Sequence, residues 1–269
     1  MSGAAPLFGG IEAGGTKFVL TVSHDHAQPL ATHTIATTSP EATLAAAADW
    51  LGRHAPLSAL GIATFGPADL DLRSPTWGRI TATPKPGWSD CDMAGYFAAQ
   101  FGVPIGFDTD VNAAALAEYA ADDSRPDVLA YITVGTGVGG GLVVNGKTVH
   151  GAAHPEMGHI YPRRATDDQQ FPGICPFHGD CLEGLASGPA IAARWGAELS
   201  ALAADHAAHE SVAGYLAQLC HSLAAINAAQ VIVLGGGVMQ TPGLLQRIVQ
   251  QAERLDGAYL PGRRPQSIG

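Results

Sequence analysis

The alternation of apolar and polar positions divides the chain into short strands and Ala- and Leu-rich helices. Residues 7–22 hold two β-rich stretches separated by Gly14-Gly15, the pattern of a hairpin closed by a tight polar turn. Residues 33–36 supply a third strand. A Ser-Pro-Glu start ahead of an Ala- and Leu-rich run predicts a helix over 39–54, and Ala59–Thr64 reads as a short buried strand. A helix over 89–101, a strand over 103–107 and an Ala-rich helix over 112–119 follow.

The second half starts in the same way, with strands at Val128–Val134 and 142–144 flanking a glycine cluster. Residues 151–183 are irregular and rich in Gly, Pro, His and Cys. Beyond them lie a mostly helical stretch over 188–229, an apolar strand over 231–234 and a helix over 242–255. Each half therefore opens on a glycine-broken hairpin and then adds helix and strand, which predicts a duplicated α/β unit. A chain of 269 residues, 46% of them hydrophobic, is long enough for two cores. We expect a small N-terminal α/β domain over 1–114 and a larger C-terminal one over 115–269, with an irregular loop at about 154–183.

Composition narrows the function. Only 14% of residues are charged, while 34 Gly and 18 Pro imply tight turns and backbone-lined loops, an economy that suits small-molecule chemistry. The net charge of -10 arises from 24 acidic against 14 basic residues, with no Lys or Arg block to neutralise a phosphate backbone, so nucleic acid is not an expected partner. No stretch approaches the roughly 20 apolar residues that span a bilayer, and residues 1–6 lack a secretory pattern, so the expectation is a cytoplasmic protein without a membrane partner. Cys91 and Cys220 stand apart in apolar contexts and read as free thiols.

Two motifs mislead. The letters from Gly141 to Gly146-Lys147-Thr148 satisfy a phosphate-binding P-loop, but the interior is strand-like and Asn145-Gly146 is a favoured hairpin turn. Gly135-Thr136-Gly137-Val138-Gly139-Gly140 contains a dinucleotide-binding pattern, yet a strand follows it where a helix is required.

Both glycine clusters can nevertheless turn backbone N–H groups toward an anion. Gly14-Gly15-Thr16-Lys17 adds a hydroxyl and a cation, and Gly135-Thr136-Gly137 adds a hydroxyl at the mirrored position, so the two turns could grip one polyphosphate; the alternative is two ordinary hairpins. Asp108-Thr109-Asp110 places carboxylates between a strand end and a helix start. One may simply cap that helix, or accept the proton of an attacking hydroxyl in phosphoryl transfer. His159 with Cys175, His178 and Cys181 offers two nitrogens and two sulfurs, a closed tetrahedral set expected to hold a structural zinc ion. Glu156 precedes His159 by three residues, so the same loop would carry a carboxylate.

Taken together, these segments resemble the ROK family of sugar kinases, its fructokinase branch in particular. The resemblance rests on Gly10-Ile11-Glu12-Ala13-Gly14-Gly15-Thr16-Lys17, Phe65-Gly66-Pro67, Thr83 to Trp88, Asp108 to Ala115, Thr133 to Gly141, His154-Pro155-Glu156-Met157-Gly158-His159 and Cys175 to Gly184. It covers nearly the whole chain. It implies a two-domain α/β architecture of the actin-like, hexokinase-like (ribonuclease H-like) ATPase class, with ATP and a sugar as partners and Mg²⁺ accompanying ATP. By the same resemblance Asp110 is the catalytic base, and Gly66, Pro67, Thr109, Asp110, Glu156, His159 and Glu183 surround the sugar. The turns at Gly14, Gly15, Thr16 and Lys17 and at Gly135, Thr136 and Gly137 face the phosphates, and Gly235 and Gly236 lie under the adenosine.

Fructose is the expected sugar, since Thr109 stands where glucokinase-like members have an Asn. Glu12 stands where many members have Asp. A broader hexokinase or mannokinase, or a binding member that has lost turnover, are the alternatives. Repressor members carry a helix-turn-helix segment ahead of the first hairpin, which here begins within ten residues of Met1, so a repressor is not expected. Relatives continue past the position of Gly269 with a further helix and are commonly homodimers, and a homodimer is expected here.

Overall fold

The computed structural model describes residues 5–83, 85–165 and 168–259. Pro84 and the stretch that ends at Gly269 lie outside them. Two compact units emerge: one reaches Ala113 and takes in His150–His154, the other comprises Ala114–Val149 and the chain from Pro155 onward.

In the first unit β1 (Phe8–Ala13) and β2 (Lys17–Ser23) form the expected hairpin, and β3 (Ala31–Ala36) pairs antiparallel with β2. β4 (Ala59–Thr64) and β5 (Ile105–Thr109) extend the sheet in parallel, giving the order β3-β2-β1-β4-β5. Period-two burial sends Ile11 and Ala13 of β1 and Phe18, Leu20 and Val22 of β2 into the core. Helix α1 (Pro40–Gly52) begins where Ser39 accepts the N–H of Ala42 and Pro40 occupies the first turn. Helix α2 (Met93–Phe101) is shorter than expected because Asp92, accepting the N–H of Gly95, is its cap, and left-handed Gly102 ends it.

Trp88 anchors this core. It is fully buried, packs with Phe18 and Phe65 at ring-centroid separations of 5.5 and 5.6 Å, and donates its indole N–H to the carbonyl of Thr38 at 2.9 Å. Burying about 200 Å² of indole at roughly 25 cal/mol per Å² contributes about 5 kcal/mol.

The second unit repeats the design. β6 (Val128–Val134) and β7 (Val138–Val144) form a hairpin, β8 (Lys147–Thr148) adds antiparallel to β7, and β9 (Val231–Gly235) pairs parallel with β6, in the order β8-β7-β6-β9. The P-loop letters therefore fall on a strand and a hairpin turn, with Asn145 and Gly146 both at positive φ. β7 starts at Val138 rather than 142, so Gly139, Gly140 and Gly141 lie inside the strand. A side chain at Gly140 would fall 2.4 Å from the sulfur of Met157, and the missing Cβ is what lets that segment pack on the sheet.

Helices α4 (Leu182–Ala186), α5 (Gly188–Trp195), α6 (Ala207–Asn227) and α7 (Leu244–Asp256) complete the unit. Leu185, Leu216, Leu219 and Ile248 pack with Ile132, Leu142 and Ile232 in one cluster. Val231 and Val233 join Leu129, Val143 and Ala115 in a second, so alternate β9 side chains enter two clusters and its apolar run is continuous. Ala115 belongs to α3 (Asp110–Ala121), which starts at Asp110, two residues earlier than expected. Among the described residues no helix is long and apolar enough to cross a membrane, and all four cysteines are free.

One buried ion cluster fixes the loop ahead of α4. Asp168, 3% exposed, meets the guanidiniums of Arg164 and Arg194 and the hydroxyl of Tyr215, whose pKa burial and Asp168 push up to about 12. Removing one member of such a cluster leaves buried charge without compensation. Asp168→Ala is expected to cost roughly 3–5 kcal/mol, read as a lowered denaturation midpoint at unchanged slope; a loss under about 1 kcal/mol contradicts it.

Candidate active site and metal centre

In the first unit three adjacent strands end at one edge of the sheet, with Ala13 opposite Thr64 and Thr64 opposite Thr109. The exits of parallel strands are where α/β sheets place ligands. From β1 leads the Gly14-Gly15-Thr16 turn. Gly14 donates its N–H to the carbonyl of Lys17 at 2.9 Å, Thr37 donates its N–H to the Thr16 carbonyl at 2.9 Å and its hydroxyl to the Gly14 carbonyl at 2.8 Å, and the Lys85 ammonium meets the Gly15 carbonyl. Nothing lies within 4 Å of where a Gly15 Cβ would stand. Thr16 and Lys17 are exposed. β4 leads into Gly66-Pro67, joined by a cis peptide bond, and a Cβ on Gly66 would stand 3.6 Å from the imidazole of His154.

β5 leads into Asp110. Thr109, 1% exposed, accepts the N–H of Asn112 on its hydroxyl at 3.2 Å, so the threonine and not a carboxylate provides the side-chain cap of α3. Asp110 accepts the N–H of Val111 at 2.9 Å and keeps an open side toward solvent. Burial of the rest of the group raises its pKa above the ordinary carboxylate value. The negative charge of Glu12 adds to the rise, while the Val111 N–H and His154 oppose it. A carboxylate whose charged form is made costly is a better proton acceptor.

In the second unit β6 and β9 end side by side, Thr133 opposite Gly235. The Gly135-Thr136-Gly137 turn is closed by the Gly135 N–H on the Gly137 carbonyl at 2.8 Å and held by the Gly188 N–H on the Gly135 carbonyl at 2.8 Å. Glu183 accepts the Val138 N–H at 3.0 Å, close enough that a Cβ on Gly137 would stand 2.6 Å from its oxygen. Gly236, at φ +94°, passes so near β6 that a Cβ would fall 2.4 Å from the Val134 carbonyl oxygen. A cavity of about 550 Å³ opens beside both turns, lined by Gly135, Thr136, Pro189, Glu198, Val238 and Thr241 among others. Pro189, Glu198 and Thr241 were not singled out in the sequence. The only signal was the Ser187-Gly188-Pro189 helix start, with Ser187 accepting the Ala190 N–H at 3.3 Å.

The four expected metal ligands meet. Their ligand atoms all lie within 4.8 Å of one another: Cys175 Sγ is 3.8 Å from His159 Nδ1 and 3.7 Å from His178 Nδ1, Cys181 Sγ is 3.6 Å from His159 Nδ1, and the two histidine nitrogens are 3.3 Å apart. These residues could hold a metal ion. Burial pushes the Cys181 thiol up to about 11, so its thiolate requires a bound cation at neutral pH. The knuckle is closed by reciprocal backbone bonds between Cys175 and Gly179 at 3.1 and 2.9 Å, and α4 packs so tightly on it that a Cβ on Gly184 would fall 2.0 Å from the Gly179 carbonyl oxygen. Glu156 and His159 share a 3-10 turn, Glu156 immediately preceding Met157–His159.

The pattern that defines the ROK family matches residues 8–262. The chain belongs to the ROK family. It is 44% identical over 264 residues to a fructokinase of Zymomonas mobilis, covering 95% of this chain and 88% of that protein. A putative fructokinase of Bacillus subtilis is 43% identical over 255 residues, with 94% and 85% covered. The solved ROK hexokinase of Thermus thermophilus superposes with a TM-score of 0.77 at 27% identity, over 97% of this chain and 92% of that one. The fold is thus the α/β fold of the ROK sugar kinases, of the hexokinase-like ATPase class.

Two outcomes follow from the geometry. Glu12→Gln removes a like charge from Asp110 and so lowers its pKa: the acid limb of the kcat/KM profile moves to lower pH, and an unmoved or upward-moved limb contradicts the pairing. Gly184→Ala pushes α4 off the knuckle and is expected to lower metal affinity by at least about tenfold, read by competition with a chromogenic chelator; wild-type retention contradicts it.

Proposed function

We propose that the protein transfers the γ-phosphoryl group of ATP to fructose, forming fructose 6-phosphate, with Asp110 as the base. What carries this reading is a carboxylate of raised pKa at the exit of β5, in a chain whose relatives at 44 and 43% identity are named fructokinases. Asp110 takes the proton of the sugar hydroxyl as that oxygen attacks the γ-phosphorus. The bond from the γ-phosphorus to the β,γ-bridging oxygen breaks, and ADP leaves with the electron pair.

Mg²⁺ bound with ATP would offset charge on the phosphates. Gly14, Gly15, Thr16 and Lys17 and the turn at Gly135, Thr136 and Gly137 are assigned to the phosphates, and the cavity at Gly237 and Val238, beside Gly235 and Gly236, to the adenosine. Gly66, Pro67, Glu156, His159 and Glu183 are assigned to the sugar. Thr109 is assigned to the sugar site as well: its hydroxyl accepts the Asn112 N–H and retains its own O–H as a donor.

The metal is assigned as zinc in a structural role. Bonds of about 2.3 Å to sulfur and about 2.05 Å to nitrogen imply tetrahedral edges of roughly 3.3 Å between nitrogens and about 3.6 Å from nitrogen to sulfur. Four of the six donor pairs, at 3.3 Å and 3.6–3.8 Å, match those edges and support that assignment, and all six lie within 4.8 Å. Four protein ligands leave no open position for catalysis. The reading further includes a cytoplasmic location, which cysteines without a disulfide suit, and a homodimer; light scattering that gives the 27.6 kDa single-chain mass removes the dimer.

The test is ADP release with fructose, mannose and glucose in turn, for the protein and for Asp110→Ala. Fructose should give the highest kcat/KM, and the variant should lose on the order of 10³-fold or more in kcat. Equal turnover of all three sugars favours a broad hexokinase. An Asp110→Ala protein at wild-type rate removes the base assignment.

A further inference from the structure

His150 has no part in the assigned site, yet it reaches the junction that carries Asp110. The segment His150–His154 belongs to the first unit although the chain on both sides of it belongs to the second. His150 Nε2 lies 3.0 Å from each carboxylate oxygen of Asp108. The Oδ1 of Asp108 also accepts the side-chain amide of Asn112 at 2.7 Å and the N–H of Thr109 at 2.8 Å. Asn112 is fully buried, and its own N–H bonds the Thr109 hydroxyl at 3.2 Å. Asp108, Thr109 and Asn112 thus form a closed set of hydrogen bonds beside Asp110, and His150 holds that set from outside β5 and α3.

We propose that His150 is a positioning residue for phosphoryl transfer: by clamping Asp108 it fixes the β5–α3 junction and with it the orientation of the Asp110 carboxylate. An ordinary surface ion pair contributes little, because both partners are hydrated and free to move. This one differs, since Asp108 is 18% exposed and shares its oxygen with a buried amide, so the imidazole acts on a group that is already fixed. When the imidazole is gone, Asp108 can turn toward water, Asn112 loses the acceptor of its amide, and the first turn of α3 loosens. Misplacing a reacting group by about 1 Å costs on the order of 10²-fold in rate. The other end of the segment places His154 beside Gly66, where its charge favours ionised Asp110, so five residues deliver two imidazoles to one catalytic edge.

The inference rests on the reading of Asp110 as the base. The experiment compares His150→Ala, His150→Gln, Asp108→Asn, the His150→Ala/Asp108→Asn double variant and Asp110→Ala by kcat and by KM for fructose and ATP. Glutamine places an amide N–H near the position of Nε2 and keeps a donor for Asp108. Loss of position should lower kcat of His150→Ala by about 10- to 100-fold with both KM values within about twofold. Glutamine should restore most of kcat, and the double variant should be no slower than His150→Ala alone. The proposal is overturned if folded His150→Ala keeps wild-type kcat, or if KM rises while kcat holds. Should the alanine variant not fold, His150→Gln decides: near wild-type kcat supports the clamp, and a kcat as low as that of Asp108→Asn overturns it. An inactive Asp110→Ala beside a fully active His150→Ala removes this inference alone, whereas an active Asp110→Ala removes the base on which it rests.

Discussion

A helix that starts directly from a strand must find acceptors for the backbone N–H groups of its first turn, and the junction between β5 and α3 is shaped by that demand. Thr109 answers it with its hydroxyl, Asp110 takes the Val111 N–H, and Asp108 takes the Thr109 N–H and the Asn112 amide. Because the threonine hydroxyl takes the Asn112 N–H, the aspartate that follows is left with the Val111 N–H and retains an open side. The same crowding that satisfies the backbone strips water from the carboxylate and raises its pKa. Helix start and the raised pKa of Asp110 are therefore one construction, a consequence of how the chain turns there.

Both units need rigid backing for such edges, and they obtain it differently. The first uses burial, with Trp88 against Phe18 and Phe65 behind the strands whose ends carry Gly14, Gly66 and Asp110. In the second, the long irregular stretch ahead of α5 contains little regular structure, and the packing that would order it is replaced by the four-ligand cluster and the buried Asp168 network. A metal ion held there would contribute its binding free energy as ordering free energy. It would also act with direction: His159 lies in the turn with Glu156, and Cys181 precedes the helix bearing Glu183, so drawing the four donors together would fix both carboxylates.

Much of this was legible in the sequence because it depends on local chemistry. Ala59–Thr64 was readable from its bounded apolar run, α1 from Ser39-Pro40-Glu41, and the clustering of the four His and Cys donors from their spacing. Boundaries failed where a tertiary partner decides them. Glycines 139 to 141 read as turn residues but continue β7, and Gly140 among them accommodates Met157, which approaches from elsewhere in the chain. The helix expected from 112 begins at Asp110 because Thr109, not an acid, caps it. Glu198 and Thr241 carry no spacing signal that ties them to Gly135, and His150 meets Asp108 across 42 residues, a contact that no periodicity encodes.

The duplication itself shows where physical constraint gives way to specialisation. The two hairpins share strand order and glycine placement, so the sequence presents their turns as equivalent. Their surroundings are not. The Gly14-Gly15 turn is pinned from behind through its carbonyls by Thr37 and Lys85, leaving the space at Gly15 clear. The second turn has a carboxylate against it, and Gly137 lacks a side chain because Glu183 occupies that space. Gly135 and Thr136 border the cavity together with the start of α5. Glycine at matching positions thus serves two ends, exposure of backbone in one copy and admission of an acid in the other, and only the neighbours of each turn distinguish them.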